Sequence, residues 1–202
     1  MKEMKVRLTL IEDMLGTLPS NPEIYHDYIA SKSGDPKKIA EETELMEEAV
    51  QNNEYCEKLT VFARNKDNEP CVFDYLIKGY FKNACNAMRD ADGSVSKKLT
   101  SYKKKIDNLI FIYPRLIKIN FEGEITYCER PLRASTPQGE RVALACSESV
   151  AAGATLEFEI RVLNDDMMKY IIEWLDYGQY NGLGQWHNSG KGRFTWQDIT
   201  NK

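Results

Sequence analysis

The feature that most constrains the fold is a strict alternation of apolar and polar residues near the start of the chain. In KVRLTLIEDM, residues 5–14, the apolar side chains Val6, Leu8 and Leu10 alternate with charged or polar ones. A period of two places the apolar residues on one face of a β-strand and the polar residues on the other. This segment therefore predicts a half-buried strand of a sheet that has one face against a core.

Two other segments show the periodicity of amphipathic helices. Residues 75–93 predict the clearer helix, with Gly93 placed to close its end. Its apolar face consists of Leu76, Tyr80, Phe81, Ala84 and Met88. Residues 165–178, DDMMKYIIEWLDYG, predict a second helix that begins at Asp165 and Asp166 as its N-cap.

Strand-like runs occupy most of the rest of the sequence. They are LTVFARNKDNEPCVFDY, LIFIYPRLIKINF, EITYCERPL, RVALACSESV, ATLEFEIRVL and GRFTWQDI. The fourth and fifth runs are expected to pair as a hairpin across residues 151–153. The order of the elements predicts an α+β fold: a ferredoxin-like (RRM-like) βαββαβ antiparallel sheet, with helices on one face and inserted helical and hairpin elements. We expect a single domain over residues 1–202, with residues 20–58 as a helical insertion.

The charged residues are segregated along the chain. The net charge is only −4, yet residues 35–57 hold eight carboxylates against Lys37 and Lys38. Residues 97–105, in contrast, hold five lysines and no acid. A modest net charge is therefore compatible with a basic surface that binds a polyanion.

Cysteine usage and hydropathy indicate the cellular compartment. The five cysteines are an odd number without a CxxC pair, which is typical of reduced thiols in a cytosol. No apolar run approaches the 18 residues of a membrane-spanning helix. We expect a cytoplasmic protein without membrane contact, cofactor or metal, and we interpret the carboxylates of residues 41–48 as a solvated face.

GLGQWHNSGKGRF, residues 182–194, is the most unusual stretch and holds four of the chain's twelve glycines. Glycines permit positive φ and the close approach of another backbone, and exposed N–H groups in such loops form concavities for phosphate oxygens. Lys191 and Arg193 supply positive charge, while Trp186 and His187 are suited to stack on bases. The alternative is a structural turn before an edge strand, with Trp186 filling a gap in the core.

Two further segments are basic. Residues 97–105, KKLTSYKKK, interleave Tyr102 with lysines, a pattern compatible with tracking a phosphate backbone. A solvated basic face is the simpler interpretation of that segment. Residues 129–141, ERPLRASTPQGER, carry three arginines, Arg130 and Arg133 among them, on what looks like an irregular loop. If these segments converge with the glycine-rich loop, they form a positive groove.

The signals for catalysis are weaker. His26 and His187 are the only histidines, and no local motif pairs either with a nucleophile. A histidine near bound phosphates is suited to act as general acid or base in RNA cleavage, so His187 is the better placed of the two. Binding or stacking is the commoner role for a lone histidine beside a basic loop.

Three segments, in order, resemble the RAMP superfamily, the RNA-binding subunits of CRISPR effector complexes. Residues 75–89, YLIKGYFKNACNAMR, are similar to its pattern SSLKG-x-LR, with Lys78, Gly79 and Arg89 in corresponding places. Residues 147–160, SESVAAGATLEFEI, resemble E-x-V-P-A-G-T-x-F-x-F, with alanine at the usual proline. Residues 181–194, NGLGQWHNSGKGRF, resemble the loop LGG-x-x-S-x-G-F-G-R. The resemblance implies a ferredoxin-like core with the glycine-rich loop and a basic helix near RNA.

The chain as a whole also resembles small proteins encoded by phages and prophages of Gram-positive bacteria. We therefore expect a non-catalytic phage protein that binds RNA or another single-stranded nucleic acid. The predicted contacts are Lys78, Lys82, Lys97, Lys98, Lys103, Lys104, Lys105, Arg130, Arg133, Gly184, Trp186, His187, Gly190, Lys191 and Arg193.

Two alternatives remain open. One is a phage decoy or inhibitor of a host CRISPR-type defence complex, acting by protein contact along the acidic residues 35–57, for example by capping a filament; self-assembly is a further option for its partner. The other is a metal-independent endoribonuclease with His187 or His26 as general base.

Overall fold

The computed structural model describes residues 2–20, 59–136 and 139–200, with the backbone alone for residues 132–136 and 139–143. The strands within these ranges are β1 Lys2–Leu10, β2 Met14–Leu15, β3 Leu18–Pro19, β4 Leu59–Val61, β5 Ala63–Arg64, β6 Pro70–Phe73, β7 Ile110–Tyr113, β8 Leu116–Asn120, β9 Thr126–Thr136, β10 Gly139–Val150, β11 Thr155–Val162 and β12 Phe194–Asp198. The helices are α1 Asp74–Met88, α2 Tyr102–Leu109 and α3 Met168–Asp176.

The larger sheet has the strand order β12-β1-β11-β8-β6-β5, and β7 also pairs with β11. β1 lies between β11 and β12, so that Val6 is opposite Phe158 on one side and Asp198 on the other. The described pairings of this sheet are antiparallel. The alternation seen in the sequence therefore marks the strand that it predicted, with Val6, Leu8 and Leu10 buried.

The helices cover the face of the larger sheet to which those apolar side chains point. Phe81 of α1, Ile106 of α2 and Trp174 of α3 belong to one buried cluster together with Val6 and Leu8. Burial of apolar area between the sheet and this helical layer is the main contribution to stability. The α+β ferredoxin-like fold predicted from the order of the elements is confirmed.

The start of α3 differs from the prediction. A 3-10 turn, Asp165–Met167, precedes the helix, and its cap is Asn164. The Asn164 side-chain oxygen accepts a hydrogen bond of 3.0 Å from the backbone N–H of Asp166. The prediction that Asp165 and Asp166 cap the helix is therefore wrong: the cap lies just before them, and asparagine performs the same chemistry.

The smaller sheet has the order β2-β10-β4-β3, with β9 paired along β10. The pairing of β9 with β10 runs from Thr136 opposite Gly139 to Thr126 opposite Ser149. Residues 129–136 and 139–141, within the segment expected to be an irregular loop, belong to this long β-ribbon. The predicted hairpin between β10 and β11 is also wrong, because the two strands lie in different sheets. Alternating patterns identify strands but not their partners.

The predicted helical insertion, residues 20–58, lies outside the described residues except for Ser20. The two ends of the segment are adjacent, since the Ser20 N–H donates to the carbonyl of Leu59 at 2.9 Å. β3 and β4 are antiparallel neighbours at this point, with Pro19 opposite Thr60. The segment therefore leaves the smaller sheet and returns to it at the same place.

Candidate nucleic-acid interface

The glycine-rich loop, residues 182–193, folds back on itself. The N–H of Leu183 donates to the carbonyl of Gly192 at 2.9 Å. A Cβ atom at Gly192, whose φ is +69°, would come within 2.9 Å of the carbonyl carbon of Leu183 and closer still to its oxygen. A Cβ at Gly182 would overlap the backbone of Gly192 and Arg193. The close backbone approach that these glycines permit is thus made within the loop itself.

The loop also docks on the segment that follows β1. The N–H of Gly192 donates to the carbonyl of Asp13 at 2.7 Å, and the N–H of Ile11 donates to the carbonyl of Arg193 at 2.8 Å. A Cβ at Gly184 would lie 2.8 Å from the carbonyl oxygen of Leu15. These contacts place the loop at the end of the larger sheet where β1 ends and β12 begins.

Both cations of the loop are paired with carboxylates. Lys191 Nζ lies 2.8 Å from Asp13 Oδ2, and Arg193 Nη2 lies 2.8 Å from Glu12 Oε1. The hydrogen bond between Lys191 and Asp13 is the main reason why the pKa of Asp13 is lowered and the pKa of Lys191 is raised. Two cations and two carboxylates leave these four side chains without net charge. Contact of Lys191 and Arg193 with phosphate stays a prediction, and it requires these pairs to open.

Trp186 and His187 are held within the structure. The Arg130 guanidinium contacts the Trp186 ring, so that the β-ribbon and the loop meet at these two side chains. Arg130 is only 5% exposed, and burial lowers its pKa to about 10. His187 Nδ1 lies 3.1 Å from the carbonyl oxygen of Gly184. Because a carbonyl only accepts hydrogen bonds, this contact requires the proton on Nδ1. Gly190, at φ +88°, closes the turn that follows.

The two lysines predicted on the first helix lie on α1 and are engaged as well. Lys78 Nζ lies 5.1 Å from the centroid of the Phe111 ring, and burial is the main cause that lowers the Lys78 pKa. Lys82 Nζ forms an ion pair of 2.6 Å with Asp107 Oδ1 on α2. Both side chains therefore tie α1 to neighbouring elements.

Four exposed lysines form what we call the lysine surface: Lys97 and Lys98 at the end of a 3-10 helix, Val95–Lys98, and Lys103 and Lys104 in the first turn of α2. Lys97 lies 3.7 Å from Asp92 in a fully exposed pair. Lys98, Lys103 and Lys104 form no ion pair with any acid in the described part of the chain. Lys105, also predicted, is half-buried beside them.

Tyr102 does not take part in the lysine surface as a stacking residue. Its ring is buried, and its hydroxyl donates to Asn86 Oδ1 at 3.0 Å. The Arg89 guanidinium lies 5.5 Å from the centre of the Tyr102 ring. Arg89, exposed just after α1, is therefore a further cation of this region that the list of predicted contacts lacks. Its place on the polar face of the predicted helix is the signal that pointed to it.

The lysine surface and the loop are both connected to α3. Glu173 Oε1 accepts from the N–H of Val95 at 2.7 Å, and Oε2 accepts from the N–H of Ser96 at 3.0 Å. Trp174 Nε1 donates to Ser96 Oγ at 2.9 Å. These bonds hold the 3-10 helix Val95–Lys98 against the last turns of α3, and α3 leads directly into the loop.

Some predicted residues cannot be placed. His26 lies outside the described residues, and Arg133 is described by its backbone alone, within β9. Arg141, on β10, is likewise described by its backbone alone. Within residues 2–20, 59–136 and 139–200, no helix combines the length and apolar character needed to span a membrane. Over the same ranges, no three His, Cys, Asp or Glu side chains gather as metal ligands.

No protein-family model matches the sequence, and no curated protein is found as a relative. The structure is similar to a chain of a Type III-B Cmr-beta complex, solved by cryo-EM bound to cognate target RNA, with a TM-score of 0.53 and 11% identity. The chain has a RAMP-like fold. The match covers 97% of this chain and 59% of that one, so this chain spans little more than half of that neighbour's length. A chain of a Type IV-B CRISPR complex matches at a TM-score of 0.46 and 9% identity, over 99% of this chain and 91% of that one.

Proposed function

We propose that this chain is a non-catalytic binding protein for RNA or another single-stranded nucleic acid, encoded by a phage and acting in the cytoplasm of its bacterial host. The observation that carries the proposal is the lysine surface. Residues 89–107 contain six cations and three carboxylates, a net charge of +3 in a chain whose total is −4. The fold supports it, because the Cmr-beta neighbour belongs to a complex bound to RNA.

The charge distribution favours the lysine surface over the glycine-rich loop as the main phosphate contact. At the loop, Glu12 and Asp13 lie within 2.8 Å of the two cations and would repel an approaching phosphate. At the lysine surface, Lys98, Lys103 and Lys104 extend into water without a described carboxylate partner. Phosphate contacts there release counterions without first opening an ion pair.

The two alternatives receive less support. Cleavage of RNA needs a second acid or base near the general base, and His187 makes no described hydrogen bond besides that with Gly184. The decoy hypothesis rests on residues 35–57, which lie outside the described residues. No specific observation favours either alternative, so binding without cleavage is the function that we propose.

The test compares two double variants that each remove two cations. Lys103→Ala/Lys104→Ala acts on the lysine surface, and Lys191→Ala/Arg193→Ala acts on the loop. Binding of an unstructured RNA of about 16 nucleotides is followed by fluorescence anisotropy at several salt concentrations. Four phosphate contacts predict a slope of log K against log salt of about −2.8, and hence about 50-fold weaker binding at 200 mM than at 50 mM salt.

We expect the Lys103/Lys104 variant to lower the magnitude of the slope by about 1.4, because each lost phosphate contact to a single strand removes about 0.7. The loop variant should leave the slope nearly unchanged. Absence of binding by the wild-type chain at low salt, both to this RNA and to single-stranded DNA of the same length, would refute the proposed function. A slope reduced only by the loop variant would move the site to the loop, and cleaved RNA would favour the nuclease.

A further inference from the structure

An apolar groove opens on the helical layer next to the lysine surface. It has a volume of about 530 Å³, within the range of small-ligand sites. Its lining comes from the end of α1, the 3-10 helix Val95–Lys98, α3 and the turn after α3: Met88, Val95, Lys169, Ile172, Glu173, Asp176, Tyr177 and Tyr180. None of these residues belongs to the predicted set of contacts.

Several large apolar side chains are exposed here rather than buried. Tyr180 is 76% exposed, the largest value among the exposed large apolar side chains of the described residues, and Ile172 and Val95 are 39% and 38% exposed. The rings of Tyr177 and Tyr180 lie 6.4 Å apart between centroids, tilted by 41°. Contiguous apolar exposure of this kind marks a binding surface more often than scattered single residues do.

The two carboxylates in the lining already have hydrogen-bond donors. Glu173 accepts from the backbone of Val95 and Ser96. Asp176 Oδ1 accepts from Trp196 Nε1 at 2.8 Å. Both oxygens of Glu173 and the Oδ1 of Asp176 therefore accept hydrogen bonds from the protein.

Several cations either line the groove or lie within a few residues, in sequence, of a residue that lines it. Val95 lines the groove and begins the 3-10 helix that ends at Lys97 and Lys98. Met88 lines it and is followed directly by Arg89, while Lys169 lines it from α3. The site thus combines exposed apolar and aromatic side chains with cations nearby in the chain, a composition shared with surfaces that bind single-stranded nucleic acids by stacking bases and holding phosphates.

We propose that this groove is a base-stacking site for single-stranded RNA, in which an unpaired base lies on the Tyr180 ring while the neighbouring phosphates contact Lys97, Lys98 and Arg89. The inference rests on the proposed function, and it adds that the protein recognises unstacked single strands rather than duplex. A paired base has its faces covered by its neighbours in the helix and cannot enter the groove.

The experiment measures the coupling between Tyr180 and a base. Wild type and Tyr180→Ala are titrated with the same RNA in two forms, one intact and one in which abasic sites replace the central nucleotides and keep every phosphate. Tyr180→Ala should weaken binding of intact RNA at least about fivefold, since stacking on an aromatic ring has this size. It should have no effect on the abasic RNA, and the salt slope should not change.

Control variants separate stacking from folding and from general exposure. Tyr180→Phe keeps the ring and should retain the affinity of the wild type. Tyr113→Ala removes another exposed tyrosine, 46% exposed, from β7 and should have no effect on binding. Urea unfolding of Tyr180→Ala should match the wild type, because the side chain is mostly exposed.

The possible outcomes distinguish the two proposals. If RNA binds and the Lys103/Lys104 variant lowers the salt slope, while Tyr180→Ala binds intact RNA as the wild type does, the stacking site is refuted and the proposed function stands. Equal losses on intact and abasic RNA would also refute stacking. If the wild type binds neither RNA nor single-stranded DNA at low salt, both proposals fall.

Discussion

Substitution of Gly192 tests whether the glycines of the loop are required by its internal packing. The residue sits at φ +69°, and a Cβ there would collide with the backbone of Leu183, which cannot rotate away as a side chain can. Left-handed backbone costs a residue with Cβ about 1–2 kcal/mol, and overpacking adds about 1–3 kcal/mol. We expect Gly192→Ala to lower the free energy of unfolding by about 2–5 kcal/mol.

Two other glycines serve as controls that separate the cost of backbone strain from the cost of overpacking. Gly153 has φ +91° but no neighbour within 4 Å of its Cβ position, so Gly153→Ala reports strain alone, about 1–2 kcal/mol. Gly79 lies within α1 with equally open space, and Gly79→Ala should stabilise the protein by about 0.5–1 kcal/mol. Urea unfolding, analysed with a common m-value, gives the free energies of unfolding to be compared. In thermal unfolding, the Tm of Gly192→Ala should be about 4–20 °C below that of the wild type. A cost for Gly192→Ala no larger than that for Gly153→Ala would refute the packing argument.

Two further predictions concern buried polar groups. Ser96→Ala removes the hydroxyl that donates to Glu173 and accepts from Trp174 Nε1, and so leaves the buried indole N–H unpaired. We expect it to lower the free energy of unfolding, measured in urea, by about 1–3 kcal/mol. Thr100→Ala, at an exposed position, should change that free energy little. Burial raises the pKa of Glu148 above 4.5, against the opposing effect of Arg64. The folded state therefore keeps this proton to higher pH than the unfolded state, and stability falls as pH rises through that interval. Glu148→Gln should show a smaller fall as the pH rises above about 4.5, and equal pH dependence of the two proteins would contradict this assignment.

Local patterns of apolar residues predicted the strands and helices because each pattern depends only on residues that are close together in the chain. The alternation around Val6 and the helical spacing around Phe81 report burial of one face. The strand face is buried as expected, whereas on the helix Tyr80, Phe81 and Ala84 are buried and Leu76 and Met88 are only half-buried. The partner of β10 was not predictable in the same way. Its apolar alternation fits β9 and β11 equally, and the choice depends on which sheet can receive it.

The composition of a loop does not reveal what its charges contact. Lys191 and Arg193 are basic residues in a flexible sequence, yet their partners, Asp13 and Glu12, lie about 180 residues away in sequence and meet them only when β1 and β12 pair. The same holds for the groove, because Val95 and Tyr180 come together only when α3 packs beside the 3-10 helix.

The sequence by itself determined the class of fold and the presence of a basic segment, since periodicity and charge are properties of the chain before it folds. Only the tertiary structure decided which cations remain unpaired. Ion pairs form between residues that strand pairing and helix packing bring together, and those contacts are distant in sequence. That difference moved the proposed interface from the glycine-rich loop to the lysine surface and the groove beside it.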